Sequence, residues 1–234
     1  MKPEVLFLDN HLLVVNKPAG LLSQADRTGD EDVLEWGKAF LKKKFDKPGA
    51  VFLGLVHRLD RPVSGIMVLA RTSKAAARLS DQVRRRVVTK RYLAVVEGTL
   101  KGSGTFTDFL SKEDETVRIV KEGARGAKEA VLQWEALDTD AGLTLVAIRL
   151  ETGRSHQVRI QFASRGTVVL GDFRYGSRRE LDGRNLALHC AYMAVDHPTK
   201  GERMGFGAEP PDTWPAVLRL SASEWVERVR RAAD

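Results

Sequence analysis

Hydrophobic and polar positions alternate in short runs along the chain, and the runs switch between helical and extended spacing without an internal repeat. "VLFLD" and "LLVVN" predict two strands around Asp9-Asn10-His11, and Lys17-Pro18-Ala19-Gly20 ends the second, so a hairpin enters the core. Over residues 32–45, Val33, Trp36, Phe40 and Leu41 recur at helical spacing, and Lys42 to Lys44 lie near the end that favours cations. Two apolar runs, 54–56 and 66–70, predict core strands on either side of "HRLDRPVSG". Ser73 is expected to cap a helix through "KAAARLSDQVRRR", and "YLAVVEG" to form a strand closed by Gly98. Residues 100–126, rich in Gly, Lys and Glu, are the poorest core candidate and read as a pair of irregular strands on an excursion. "AVLQWEAL" and "LTLVAIRLE" follow as strands around a turn at 138–142, and "SHQVRIQFASRG" suits a helix capped by Ser155 and stopped by Gly166. "LALHCAYMAV" reads as a buried strand, and residues 221–231 as a terminal amphipathic helix. No compositional break divides residues 1–234, so the expectation is one α+β domain with a largely antiparallel sheet.

Composition adds a partner class to this outline. Among 234 residues, 38 are basic and 31 acidic, a formal charge of +7 that favours a polyanion, with nucleic acid ahead of an anionic membrane surface. Cys190 is the single cysteine, which excludes an intramolecular disulfide framework and multi-cysteine zinc sites and suits a reducing, cytoplasmic setting. The N-terminal apolar runs are broken by Asp9, Asn10 and His11, leaving neither a signal-peptide core nor a membrane span.

Two clusters can carry chemistry. Asp60 stands where a strand ends in a turn that Pro62 and Gly65 fix, a rigid corner suited either to a functional carboxylate or to turn formation alone. Arg58 and Asp60 point the same way if strand geometry persists through both, while His57 reads as an imidazole satisfied in the wall. In "ETGRSHQVRI", Gly153 permits a tight turn that brings Arg154 and the first helical N–H groups to a possible anion site; the bland reading is a helix start with surface arginines. Tyr92, between Arg91 and a buried run, is by itself an ordinary strand-edge residue.

Taken together, "NKPAGL", "HRLDRPVSG", "KRYLAVVEG", "TGRSHQVRIQFASRG", "GDFRYG" and "LALHC" resemble, in order and spacing, the RluA-type family of RNA pseudouridine synthases. Pro62 and Val63 stand where that pattern has an acidic residue and a threonine. The hairpin begins at residue 5, so the S4-type RNA-binding module of many relatives is expected to be missing. The resemblance implies a catalytic domain with a mixed, largely antiparallel sheet, flanking helices and a central RNA-binding cleft. It implies isomerisation of uridine to pseudouridine in structured ribosomal or transfer RNA, by a monomeric enzyme needing no cofactor or metal. By the same resemblance Asp60 is the essential aspartate, acting as nucleophile or base; Arg154 is its basic partner; and Tyr92 stacks on uracil and helps remove the C5 proton. Leu188 closes the pocket and Arg58 fills the space left by a flipped base. His57 is grouped with the substrate-binding residues, and the net charge makes Arg84 to Arg86, Lys90 and Arg159 candidate phosphate contacts that repay the cost of flipping. A glycoside hydrolase would need a second carboxylate flanking the bond. A noncatalytic RNA-binding or RNA-folding protein on the same scaffold is the stronger alternative, against which Asp60, Tyr92 and Arg154 together argue.

Overall fold

Asp9 makes the first turn by accepting from the backbone N–H groups of His11 and Leu12, at 2.8 and 2.7 Å, so that β1 (Glu4–Leu8) and β2 (Leu12–Lys17) pair antiparallel. The computed structural model describes residues 2–114, 116–183 and 185–232. Helix α1 (Val33–Lys44) starts at Asp32, whose side chain accepts from the Glu35 N–H. A two-residue strand, β3 (Gly54–Leu55), precedes β4 (Ser64–Ala70), which is buried along its whole length. Helix α2 (Ser73–Arg84) is capped by Thr72, one residue earlier than expected, its hydroxyl accepting from the Ala75 N–H.

Strand β5 (Thr89–Glu97) leads to β6 (Ser103–Glu113) and β7 (Thr116–Val120). Residues 100–126 therefore carry a regular hairpin and not irregular strands: β6 pairs with β8 (Lys128–Asp140) from Ser103 to Leu110. Its buried side holds Phe106 edge-on to Phe162, at 5.1 Å between ring centres, a contact with no counterpart in the local composition. Strand β9 (Leu143–Leu150) runs into α3 (Gln157–Ala163), followed by a 3-10 turn at Phe173–Tyr175, β10 (Leu188–Asp196), β11 (Arg203–Gly207) and α4 (Ala216–Arg231). The last helix begins before residue 221, after Pro215. Ser155 does not cap α3. His156 precedes it in the left-handed region, at φ 52°, and the Gln157 side chain turns back to accept from the Arg154 N–H.

Among the described residues, eleven strands make one sheet in the order β1-β2-β4-β10-β5-β9-β8-β6-β7, with β3 on β4 and β11 on β10. Every pairing is antiparallel except β4 with β10. That parallel contact is close: Gly65 has φ 117°, and a Cβ there would overlap the Cys190 backbone. Alternate residues of β5 face two cores. Tyr92, Ala94 and Val96 join Val158 and Phe162 on one side, and Leu93 and Val95 join Trp225 and Val226 of α4 on the other. The first face is the one that carries the polar recess described next. No helix among the described residues is long and apolar enough to cross a membrane.

Candidate active site

The turn between β3 and β4 is fastened at nearly every residue. His57 Nε2 accepts from the Val68 N–H at 2.9 Å, and the Ser23 hydroxyl donates to the Leu59 carbonyl at 2.7 Å. The Asp60 carbonyl accepts from the Val63 N–H at 3.1 Å, and the Arg61 carbonyl from the Gly20 N–H at 2.8 Å. Lys17, fully buried, donates from Nζ to the carbonyls of Pro18, Leu21 and Arg61, at 3.0, 2.7 and 3.2 Å. Three N–H donors meet three acceptors, which is how a buried ammonium is tolerated. Burial draws its pKa down to about 7, with Asp60 opposing the shift and Arg61 adding to it. "NKPAGL" is thus the clamp that holds the aspartate turn against the sheet.

Asp60 reaches from this turn into a recess lined also by Arg58, Tyr92, Arg154, His156, Arg159 and Leu188. Its Oδ2 lies 3.2 Å from Arg159 Nη1 and 3.6 Å from His156 Nε2. Arg159 is held from behind by Asp172, Nε to Oδ2 at 2.7 Å and Nη2 to Oδ1 at 2.8 Å, the fork geometry that fixes a guanidinium in one plane. Burial opposes its charge, but the two carboxylates outweigh burial and raise its pKa. The Tyr175 ring packs 5.1 Å from the guanidinium, and its hydroxyl pairs with His156 Nδ1 at 2.8 Å. Burial lowers the His156 pKa, with Asp60 pulling the other way.

Tyr92 forms the adjoining wall on β5, opposite Cys190 of β10. Burial raises its phenol well above the ordinary value, and the neighbouring Cys190 and Asp60 add to the shift, so the hydroxyl is un-ionised at neutral pH. Among the described residues no group of three or more His, Cys, Asp or Glu side chains is placed to hold a metal ion.

The recess brings together Asp60, Tyr92, Arg58, Leu188, Arg154 and Arg159. Two assignments change. Asp60 has Arg159 as its ion-pair partner, whereas Arg154 donates from Nε to the Glu129 carbonyl at 2.9 Å. One helical turn decides this, because Arg159 lies on the inward face of α3 and Arg154 precedes the helix. His57 points its ring at the β4 backbone and is absent from the recess wall, and burial lowers its pKa to about 3. Strand geometry does not persist through the turn, since β3 ends at Leu55; Arg58 and Asp60 converge because the loop, not a strand, aims them. Three residues were missed: His156, Asp172 and Tyr175. The "GDFRYG" segment was the available signal for the last two, but nothing local says that Asp172 returns to an arginine 13 positions earlier.

A carboxylate aimed into a recess, backed by a fixed guanidinium and bordered by a tyrosine, is an arrangement able to carry nucleophilic or acid–base chemistry on this mixed sheet. Residues 11–164 match the family model described as RNA pseudouridylate synthase. The chain is 33% identical over 230 residues to ribosomal large subunit pseudouridine synthase D of Zymomonas mobilis, covering 93% of this chain and 72% of that one. It is 30% identical over 231 residues to ribosomal large subunit pseudouridine synthase C of Haemophilus influenzae, covering 94% and 69%. The fold matches the solved human RNA pseudouridylate synthase domain containing 4 with a TM-score of 0.76 at 23% identity, over 94% of this chain and 92% of the other. The chain belongs to the RluA-type family of RNA pseudouridylate synthases. It is an isomerase that converts uridine to pseudouridine in RNA.

Proposed function

We propose that the substrate is large-subunit ribosomal RNA and that Asp60 is the residue engaging the ribose of the target uridine. The observation that carries this reading is the convergence of Asp60, Arg159 and Tyr92 on one recess, in a chain whose relatives are named for that RNA. The C1′–N1 bond breaks, the uracil turns, and C1′ bonds to C5. The C5 proton leaves and N1 gains one, so the reaction is redox-neutral. Arg159 holds the carboxylate toward the sugar, and Asp172 holds Arg159; Asp172 is a positioning residue. Because Tyr92 is un-ionised, it takes the C5 proton only if its own proton passes at the same time to the Asp60 carboxylate that shares the recess.

A stacked base cannot reach the recess, so it is flipped out at a cost of about a few kcal/mol. Arg58, exposed on the rim, fills the vacated space. The recess is assembled from the β3–β4 turn, β5, β10 and α3 packed on one sheet, which supports a single catalytic unit over residues 1–234. The free, buried Cys190 suits a reducing cytoplasm.

The direct test maps pseudouridines in total RNA from cells with the gene, without it, and with Asp60→Asn. A large-subunit site lost in both altered strains supports the reading. Loss of a transfer RNA site instead would redirect the substrate, and persistence of every site in the Asp60→Asn strain would remove Asp60 from the chemistry.

A further inference from the structure

Beside the catalytic recess lies a larger cavity of about 490 Å³, between the end of α2 and the end of β9. Arg84, Arg86, Lys90, Arg149 and Arg154 line it against one acid, Glu151. Glu151 is paired with Arg149 at 3.2 Å, and Arg84 with Asp81, so part of the charge is compensated. Among the described residues, Arg86 and Lys90 have no carboxylate partner. Lys90 is half-buried and lines the cavity beside Gly153, where a Cβ would begin 3.8 Å from its Nζ, an ordinary contact distance. Desolvating a cation without a counter-ion is unfavourable, and an anion entering from solvent relieves it. Burial accordingly lowers the Lys90 pKa.

The location restricts what that anion is. Lys90 stands two residues before Tyr92 on the same face of β5, and Arg154 lines both the cavity and the recess. An anion held here therefore lies next to whatever occupies the recess. We propose that this cavity binds the RNA backbone flanking the target uridine, with Lys90 and Arg86 each neutralising a phosphate and Arg154 standing where the strand passes into the recess. The inference rests on the RNA-isomerase reading and adds to it a defined path for the strand.

Binding of in vitro transcribed large-subunit ribosomal RNA is measured across a salt series for the parent, Arg86→Gln, Lys90→Gln and the double variant. Lys43→Gln, on the exposed end of α1, serves as the equal-charge control. Each lost phosphate contact should reduce the slope of log affinity against log salt by about 0.7 to 0.9, and the double variant by about twice that. Lys43→Gln should leave the slope at the parental value, and Lys90→Arg should restore it, which a merely structural lysine would not require. A parental slope in the double variant, or an equal fall with Lys43→Gln, overturns the proposal. So does cavity-dependent binding to phosphatidylglycerol vesicles without binding to RNA. Isomerisation of the same RNA by the parent is scored separately: a parent that modifies no uridine refutes the substrate reading, whereas unchanged slopes with an active parent refute the cavity alone.

Discussion

Asp60 depends on a residue it never touches. Asp172 fixes Arg159 through two hydrogen bonds, and Arg159 in turn faces Asp60. A lysine at 159 keeps the charge but cannot span both carboxylates in one plane. Arg159→Lys should therefore retain RNA binding and lose about 10²-fold or more in single-turnover isomerisation, the scale of an ångström-sized misplacement. Asp172→Asn should show the same loss with a lower melting temperature, whereas Arg154→Gln should weaken RNA binding before it slows the chemical step. Equal effects at 154 and 159 would contradict the partner assignment. At Tyr92, Phe keeps the ring and removes only the hydroxyl. Tyr92→Phe should still engage RNA and fall by about 10²-fold or more in turnover, the usual worth of a positioned proton acceptor. Tyr92→Ala should also lose the stacking contribution of about 1 to 3 kcal/mol. Isomerisation by Tyr92→Phe at the parental rate would reduce the residue to a packing wall.

At the scale of elements, the site is a loop held on two strands that meet in parallel. Gly65 makes that meeting possible, so Gly65→Ala carries both the strain of a positive φ, about 1 to 3 kcal/mol, and an overlap with the Cys190 backbone. Gly123→Ala, at φ 80° with nothing within 4 Å, carries the strain alone. Urea unfolding should therefore show Gly65→Ala to be the more destabilised of the two; parity would mean that β4 and β10 have room to separate. Elements with a strong local signal were legible in the sequence: β2, β4, β5 and β10 are long apolar runs, and α1 has its helical apolar spacing and its terminal lysines. The β6–β7 hairpin was harder to read because its outward face is polar and exposed, and its inward face is completed by Phe162 from a distant helix. The site divided the same way. Asp60 and Tyr92 carry family motifs, but the choice between Arg154 and Arg159 depends on where α3 begins. His156, in a left-handed conformation that no cap residue announces, sets that start.

For the molecule as a whole, the buried His189 and the half-buried His57 tie stability to pH. His189 is fully buried, its Nε2 donating to the Ala208 carbonyl at 3.0 Å while Nδ1 accepts from the Ser64 hydroxyl. His57 uses Nε2 as an acceptor for the Val68 N–H, which a proton on that nitrogen would abolish. Burial lowers their pKa values from 6.5 to about 4 for His189 and about 3 for His57. Both rings thus stay neutral in the folded chain over a range where the unfolded chain protonates them. The unfolded state binds more protons as pH falls below 6.5, so stability is present above that value and is lost toward pH 4 and 3. Lys17 has the same sign in a separate window, losing stability from 10.5 down to about 7, so the two contributions do not overlap. Well inside the acid window each histidine should contribute about 1.4 kcal/mol per pH unit to the slope. Urea unfolding at a series of pH values from neutral to mildly acid tests this, comparing the parent with His189→Gln and with the His57→Gln, His189→Gln pair. Each substitution will lower stability at neutral pH, but the informative quantity is the slope. It should become shallower with the first replacement and shallower again with the second, and three parallel lines would show that these rings are free to protonate in the folded protein.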